Sequence, residues 1–283
     1  MTADRWTQAV RQRLGLGRLL PLGPALDGAW ITEEAARSVL RREAAAVRGV
    51  RLGTVRIGLA DPDRAGAPAV PPPPGALPPG PLRVTAEFRV LVDPTSPGVE
   101  PLPAVAARLR LTVVSAATRL LGLDVTEVDL RVTDLLEDGD DVSADGPADT
   151  ERGAPGAVPA DGVRDRPGAG PADGARNARG AGAADGVRTA PVPEDPEEVR
   201  IAATVLAVPG VTRLTDALGR PVHVESVPAT EPALPRRHVR VELEVSGDER
   251  AVDVARAVRA AVAGAARNDP SVAVLVTSVT PGA

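Results

Sequence analysis

The sequence predicts an α/β (α+β) protein made of two small two-layer sandwich modules, each with the element order α-β-β-α-β. Short segments alternate apolar and polar residues, which is typical of strands with one buried face, and longer segments repeat apolar residues at helical spacing. The same order of elements occurs twice along the 283 residues, which indicates an internal duplication. Each module should therefore hold a three-stranded sheet with helices on one face and a largely polar outer face.

The first module spans residues 28–136. A helix is predicted from Ile31 to Val47, because Thr32 is a suitable N-cap residue and Gly49 a suitable terminator. A longer helix is predicted from Pro103 to Leu121. The strand residues that should face inward are Val55, Ile57, Leu59, Val84, Ala86, Phe88, Val90, Val128, Leu130 and Val132.

A proline-rich insert, residues 61–81, separates the first two strands of this module and contains the run Pro71–Pro74. Consecutive prolines favour the extended polyproline II conformation, which has no internal hydrogen bonds. The insert is therefore predicted to be an exposed and rather stiff loop.

The two modules are joined by residues 137–193, an acidic segment rich in Gly, Pro and Asp. The tripeptide Ala-Asp-Gly recurs in it, beginning at Ala144, Ala160, Ala172 and Ala184. A segment of this composition cannot bury enough apolar surface to offset the entropy that ordering would cost. We therefore expect a disordered linker.

The second module spans residues 194–280 and repeats the order of the first. Helices are predicted over Glu197–Val208 and Glu249–Arg267, and Pro209-Gly210 ends the first of them. The strand residues that should face inward are Val222, Val224, Val239, Val241, Leu243, Val245, Val272, Val274 and Val276.

The composition excludes several classes of function. Cysteine and lysine are absent, so the chain has no thiolate zinc site, no cysteine nucleophile, no P-loop lysine and no Schiff base. Trp6, Trp30 and Phe88 are the only aromatic residues, which argues against a base-stacking surface for nucleic acid. We therefore expect no enzymatic activity, no cofactor and no nucleic-acid partner.

Four polar residues of the second module could form a weak metal or proton site. If the strands pair as their inward faces suggest, His223 lies opposite Glu242 and Glu225 lies opposite Arg240. Two His and two Glu, which are His223, His238, Glu225 and Glu242, then share the outer sheet face. A solvated face with ordinary cross-strand pairs explains the same pattern. The functional interpretation would make the chain a small ligand- or metal-binding regulator.

The N-terminal segment, residues 1–20, is predicted to be amphipathic, with a helix over Ala3–Leu16. An apolar stripe ringed by arginines suits a membrane surface or the groove of a partner protein. The candidate docking residues are Trp6, Val10, Leu14, Arg11 and Arg13. The alternatives are a helix packed on the first module and a frayed tail.

Five short stretches resemble a known family. They are Ile31-Thr32-Glu33-Glu34, Val47-Arg48-Gly49-Val50, Pro101–Ala106, Gly122–Val132 and, in the second copy, Val208–Val211. Over residues 31–135 this succession is similar to the alkaline shock protein 23 / general-stress protein 24 family of bacterial cell-envelope stress proteins. Residues 197–280 resemble a second, degenerate copy, in which no Gly-Leu-x-Val sequence precedes the last strand.

The resemblance implies a non-catalytic interaction or scaffold protein of an envelope stress complex. Proteins of this family are held near the membrane through an anchoring partner, so the resemblance implies a membrane-anchored envelope protein or related stress proteins as partners, with homo- or hetero-oligomers as the assembly. The sequence has no run of about 18 apolar residues and no signal-peptide core. The expected location is therefore the cytoplasm, with peripheral association at the inner face of the membrane.

Overall fold

The computed structural model describes residues 15–92, 100–137, 195–227, 236–266 and 269–282. The helices in these ranges are α1 (Glu33–Ala45), α2 (Leu102–Ala116), α3 (Pro196–Leu206) and α4 (Ala251–Ala265). The strands are β1 (Leu19–Pro21), β2 (Ala29–Thr32), β3 (Val50–Leu59), β4 (Leu82–Val92), β5 (Val125–Glu137), β6 (Val211–Leu214), β7 (Val222–Val227), β8 (Arg236–Ser246) and β9 (Ser271–Thr280). Short helical turns occupy Ala25–Asp27, Pro62–Arg64 and Ala117–Leu121.

The predicted mixed α+β class and the duplicated element order are confirmed. In the first repeat, β3 and β4 form an antiparallel pair and α2 crosses over to β5, which pairs parallel with β4. In the second repeat, β8 pairs antiparallel with β6 along one half and with β7 along the other, and α4 crosses over to the parallel strand β9. The strand order is therefore the same in both repeats, with the first strand of the second copy broken in two.

Helix α1 begins where its N-cap residue predicts. The Thr32 side-chain oxygen accepts a hydrogen bond from the Ala35 backbone N–H at 3.2 Å, and Gly49 takes a left-handed conformation with φ of 71° after the helix. Ile31, expected in the helix, is instead the third residue of β2. Strands β1 and β2 were not predicted, because they are only three and four residues long and buried throughout, so they show no alternation.

These two short strands join the repeats into one structure. Strand β2 pairs parallel with β9, and β1 pairs antiparallel with β2, so the larger sheet has the order β1-β2-β9-β8-β6 with β7 also on β8. The described residues on both sides of the acidic segment belong to a single unit. Strands β1 and β2, which precede α1 in the chain, are thus part of the sheet of the second repeat.

One apolar core serves both repeats. It contains the inner faces of both sheets and one face of every described helix, and Phe88 on β4 and Leu109 on α2 are among its fully buried side chains. The inward orientation predicted for Phe88 is confirmed, since only 1% of the residue is exposed. The outer face of the smaller sheet is polar as predicted: Arg83 Nε donates to Glu127 Oε2 at 2.6 Å on that solvated surface.

The outer face of the larger sheet departs from the prediction. Trp30, Ala273 and Leu275 are buried there in a second apolar cluster with Leu19 and Val70. Val70 belongs to the proline-rich insert, so the expectation of an exposed loop is wrong at Val70, Pro73 and Pro79, which are buried. Other residues of the insert, such as Arg64, Pro72 and Pro74, are exposed as expected.

The insert is held against the sheet by its backbone. Leu77 N–H donates to the Leu19 carbonyl at 2.8 Å, and the Leu77 carbonyl accepts from Trp30 Nε1 at 3.3 Å. Extended proline-rich backbone has no hydrogen bonds of its own, so its polar groups are free to bond a neighbouring strand. The predicted linker over 137–193 lies almost wholly outside the described residues. None of the described helices is both long enough and apolar enough to cross a membrane.

Candidate functional site

The four polar residues predicted to share a face form a row on the outer face of β7 and β8. This row consists of His223, Glu225, His238 and Glu242. His223 is opposite Arg240, and Glu225 is opposite His238. The predicted pairing of His223 with Glu242 and of Glu225 with Arg240 is therefore wrong by two residues. Alternation determines which face a residue occupies, but every shift by two residues preserves the face, so alternation alone cannot fix the register.

Glu242 is the most unusual residue of this row, because it is fully buried. Its Oε2 accepts a hydrogen bond from the Leu218 backbone N–H at 2.8 Å, and its Oε1 faces Arg240 Nε at 3.4 Å. Burial raises the pKa of Glu242 from 4.5 to about 7, against the opposing effects of the Leu218 hydrogen bond and the Arg240 charge. This carboxyl group therefore changes its charge near neutral pH.

The two histidines differ in their surroundings. His238 is buried, and its Nδ1 lies 2.9 Å from the Ser271 hydroxyl. Burial lowers the pKa of His238 below 6.5, although the Glu225 carboxylate opposes this shift. His223 is partly exposed, with its Nε2 3.6 Å from Glu225 Oε2.

Within the described ranges, the His, Asp and Glu side chains form no group of three or more that could hold a metal ion. His223, Glu225 and His238 share one end of the row, whereas Glu242 is engaged with Leu218 and Arg240. The geometry of the described residues therefore gives the metal-binding alternative no support.

Sequence reasoning missed a cleft of about 550 Å³ where the two repeats meet. Arg64, Arg250 and Arg256 line it, together with glycines from three loops. Arg256 is already paired with Asp27 at 2.8 Å and with Asp253 at 2.9 Å. The other two arginines also have acidic partners, since Arg64 lies 3.9 Å from Asp61 and Arg250 lies 3.8 Å from Asp253. The Arg256–Asp27 pair joins the turn that follows β1 to α4, and Asp27 has no sequence pattern that could have identified it.

The two edges of the smaller sheet are not equally protected. Along β3, the Ile57 N–H donates to Glu33 Oε1 at 2.9 Å and the Gly53 carbonyl accepts from Arg41 Nη2 at 3.4 Å, so side chains of α1 cover that edge. No described strand pairs with the far edge of β5, which is 13 residues long.

Strand β5 also presents apolar side chains to solvent. Val132 is 39% exposed and Leu135 is 57% exposed. At the open edge, the Val128 carbonyl accepts a hydrogen bond from Arg110 Nε at 3.2 Å. Unpaired edges with exposed apolar residues are templates for pairing with another chain, so β5 is the candidate interaction surface of this protein. The sequence predicted the strand but not its place at an edge.

The docking residues proposed for the N-terminal segment, which are Trp6, Val10, Leu14, Arg11 and Arg13, lie outside the described residues. Comparison of the chain with protein-family models, with curated proteins and with solved structures found no match in any of the three.

Proposed function

We propose that this chain is a non-catalytic interaction and scaffold protein of a bacterial cell-envelope stress response complex, recruited near the membrane by a protein partner. The observation that supports the proposal best is the open edge of β5. A long strand edge binds another chain through backbone hydrogen bonds, with no need for catalytic side chains or a cofactor.

The contrast between the two repeats supports this interpretation. In the second repeat, the edge of β9 that corresponds to the open edge of β5 is covered by β2. The same position in the duplicated topology thus already accepts an added strand once in this molecule. In the first repeat, the described residues leave that position free.

The family resemblance supplies the cellular setting of the proposal. Its quoted stretches fall at positions that shape the fold: Thr32 caps α1, while Gly49 and Gly122 have φ values of 71° and 89° at the turns that follow helices. The resemblance therefore rests on residues with a structural reason to be present. The resemblance attributes recruitment near the membrane to a partner protein. This partner would contact either the N-terminal segment, residues 1–20, or the modules.

A crosslinking experiment in cells tests the proposal. A photo-reactive amino acid replaces Leu135 at the end of β5, and a matched variant carries it at Thr85, which is exposed on the central strand β4. We expect crosslinked protein adducts from position 135 but not from position 85. When the cells are fractionated, we expect the chain in the membrane fraction together with a membrane-anchored partner. Deletion of that partner should release the chain. A chain that never enters the membrane fraction would contradict the proposal.

A further inference from the structure

The central part of β5 is regular, which allows its open edge to be analysed residue by residue. Its pairing with β4 is uninterrupted from Glu127 to Val132, between two register shifts. The contact of Arg110 with the Val128 carbonyl shows that this carbonyl is reached from the open edge. Because backbone groups alternate along a strand, those of Leu130 and Val132 face the same edge.

The side chains of this stretch divide between two faces. Glu127, Asp129 and Arg131 are exposed on the outer face of the sheet. Val128 and Leu130 are half-buried on the helix side, and Val132 on that side is exposed. A strand added at this edge would therefore need charges complementary to the outer residues and apolar side chains beside Val128 and Val132.

Strand β5 itself meets both requirements when it is paired with a second β5 in antiparallel orientation. A two-fold axis perpendicular to the sheet places the outer faces of both copies on the same side. Between two antiparallel copies of one strand, such an axis runs midway between two copies of the same residue, which then lie opposite each other. With the axis at Leu130, Asp129 lies opposite Arg131 twice, Val128 lies opposite Val132 twice, and the two Leu130 side chains meet.

The neighbouring symmetric registers are unfavourable. An axis at Asp129 places two aspartates opposite each other, and an axis at Arg131 does the same with two arginines. An axis at Val128 places Glu127 opposite Asp129 twice. Like charges directly opposite one another destabilise a strand pair, so the register about Leu130 is favoured over these three.

We propose that the occupant of the β5 edge is a second copy of this chain, paired antiparallel about Leu130 to form a continuous six-stranded sheet across the dimer. The inference rests on the proposed function, in which this edge is an interaction surface. In the dimer, the Val128 carbonyl exchanges its Arg110 hydrogen bond for the Val132 N–H of the second copy. The apolar surface of Val132 becomes covered by Val128 of that copy.

Charge exchange tests the register with purified full-length chains in sedimentation velocity. In the proposed register, position 129 of each copy lies opposite position 131 of the other. Asp129→Arg leaves only arginines at these two positions, and Arg131→Asp leaves only aspartates. Each variant alone should dissociate about tenfold more readily than the original chain, since two favourable pairs become two repulsive pairs. An equimolar mixture of the two variants should restore the dimer, because every arginine then meets an aspartate.

Circular dichroism establishes that both variants are folded, and an introduced cysteine gives a test that does not depend on charge. The chain has no cysteine, so Leu130→Cys should yield a disulfide-linked dimer on mild oxidation, while Thr85→Cys on the central strand should not. A monomeric original chain, a mixture that stays monomeric, or equal crosslinking of the two cysteine variants would overturn the proposal. A monomer in solution that still forms adducts with another protein in cells would leave the proposed function standing.

Discussion

The hydroxyl of Thr32 donates a hydrogen bond to the backbone carbonyl of Thr277 at 3.0 Å, across 245 residues of sequence. The same oxygen accepts a hydrogen bond from the Ala35 N–H at 3.2 Å. One fully buried side chain thus begins helix α1 and ties the first repeat to the last strand of the second. Local capping and long-range assembly depend on the same atom.

Replacing this residue should destabilise the whole unit. We expect Thr32→Ala to lower the free energy of unfolding by about 1–3 kcal/mol, because it removes the cap and leaves the Thr277 carbonyl without this partner. Thr32→Ser keeps the hydroxyl and should cost clearly less. Chemical denaturation measures both, and equal losses for the two variants would show that the hydroxyl bonds contribute nothing. A single transition is expected in each case, since the repeats share one core.

The sequence was sufficient to predict the helices and strands in which apolar residues recur at regular spacing. Phe88 lies inward on β4 because apolar and polar residues alternate around it, and α1 begins at Thr32 because that residue can cap a helix. The connection between the repeats could not be predicted. It depends on β2, whose four residues are all buried and carry no periodic signal, and on Val70, an isolated apolar residue within a proline-rich segment.

The covered outer face of the larger sheet gives the next prediction. Leu275→Ala should lower the free energy of unfolding by about 2–5 kcal/mol, because the side chain is fully buried beneath the proline-rich insert. Thr85→Ala, at an exposed position on the outer face of the smaller sheet, should change it by no more than about 0.5 kcal/mol. Phe88→Ala, on the shared inner core, provides a reference at about 3–5 kcal/mol. Equal small effects at Leu275 and Thr85 would mean that the insert does not cover the sheet.

Glu242 predicts a pH dependence of stability. Its pKa is raised from 4.5 to about 7, so the folded state holds this proton more tightly than the unfolded chain does. The stabilisation from this proton is full below about pH 4.5 and is lost as the pH rises to about 7. Glu242→Gln removes the titration. The free energy of unfolding of the original chain, relative to the variant, should therefore decrease over this interval and level off above it.

Denaturant titrations of both proteins between about pH 5 and pH 8 measure this difference. His238 acts in the opposite direction, since its lowered pKa weakens the fold as the pH falls below 6.5. Because His238 is present in both proteins, its contribution cancels in the comparison. A difference that is constant across the interval would show that Glu242 does not titrate there.

The candidate site illustrates why local patterns were insufficient. The sequence placed His223, Glu225, His238 and Glu242 on one face, and the structure agrees. Alternation could predict neither the register nor the burial of Glu242, whose carboxylate accepts a hydrogen bond from the Leu218 N–H in a distant loop. The open edge of β5 is likewise a property of strand order. No residue of β5 indicates that its second edge lacks a partner among the described strands.

The last prediction concerns limited proteolysis. The composition of residues 138–193 predicts that a protease cuts there first. If the repeats were independent modules, the two fragments would separate once the chain is cut. Because β2 pairs with β9 and both repeats contribute to one core, we expect the cut chain to remain a single particle under native conditions. Gel filtration of the cut protein, followed by denaturing electrophoresis of the peak, measures this. Separate elution of the two fragments would contradict the shared sheet, and early cuts within residues 31–60 or 239–276 would contradict the predicted site of cleavage.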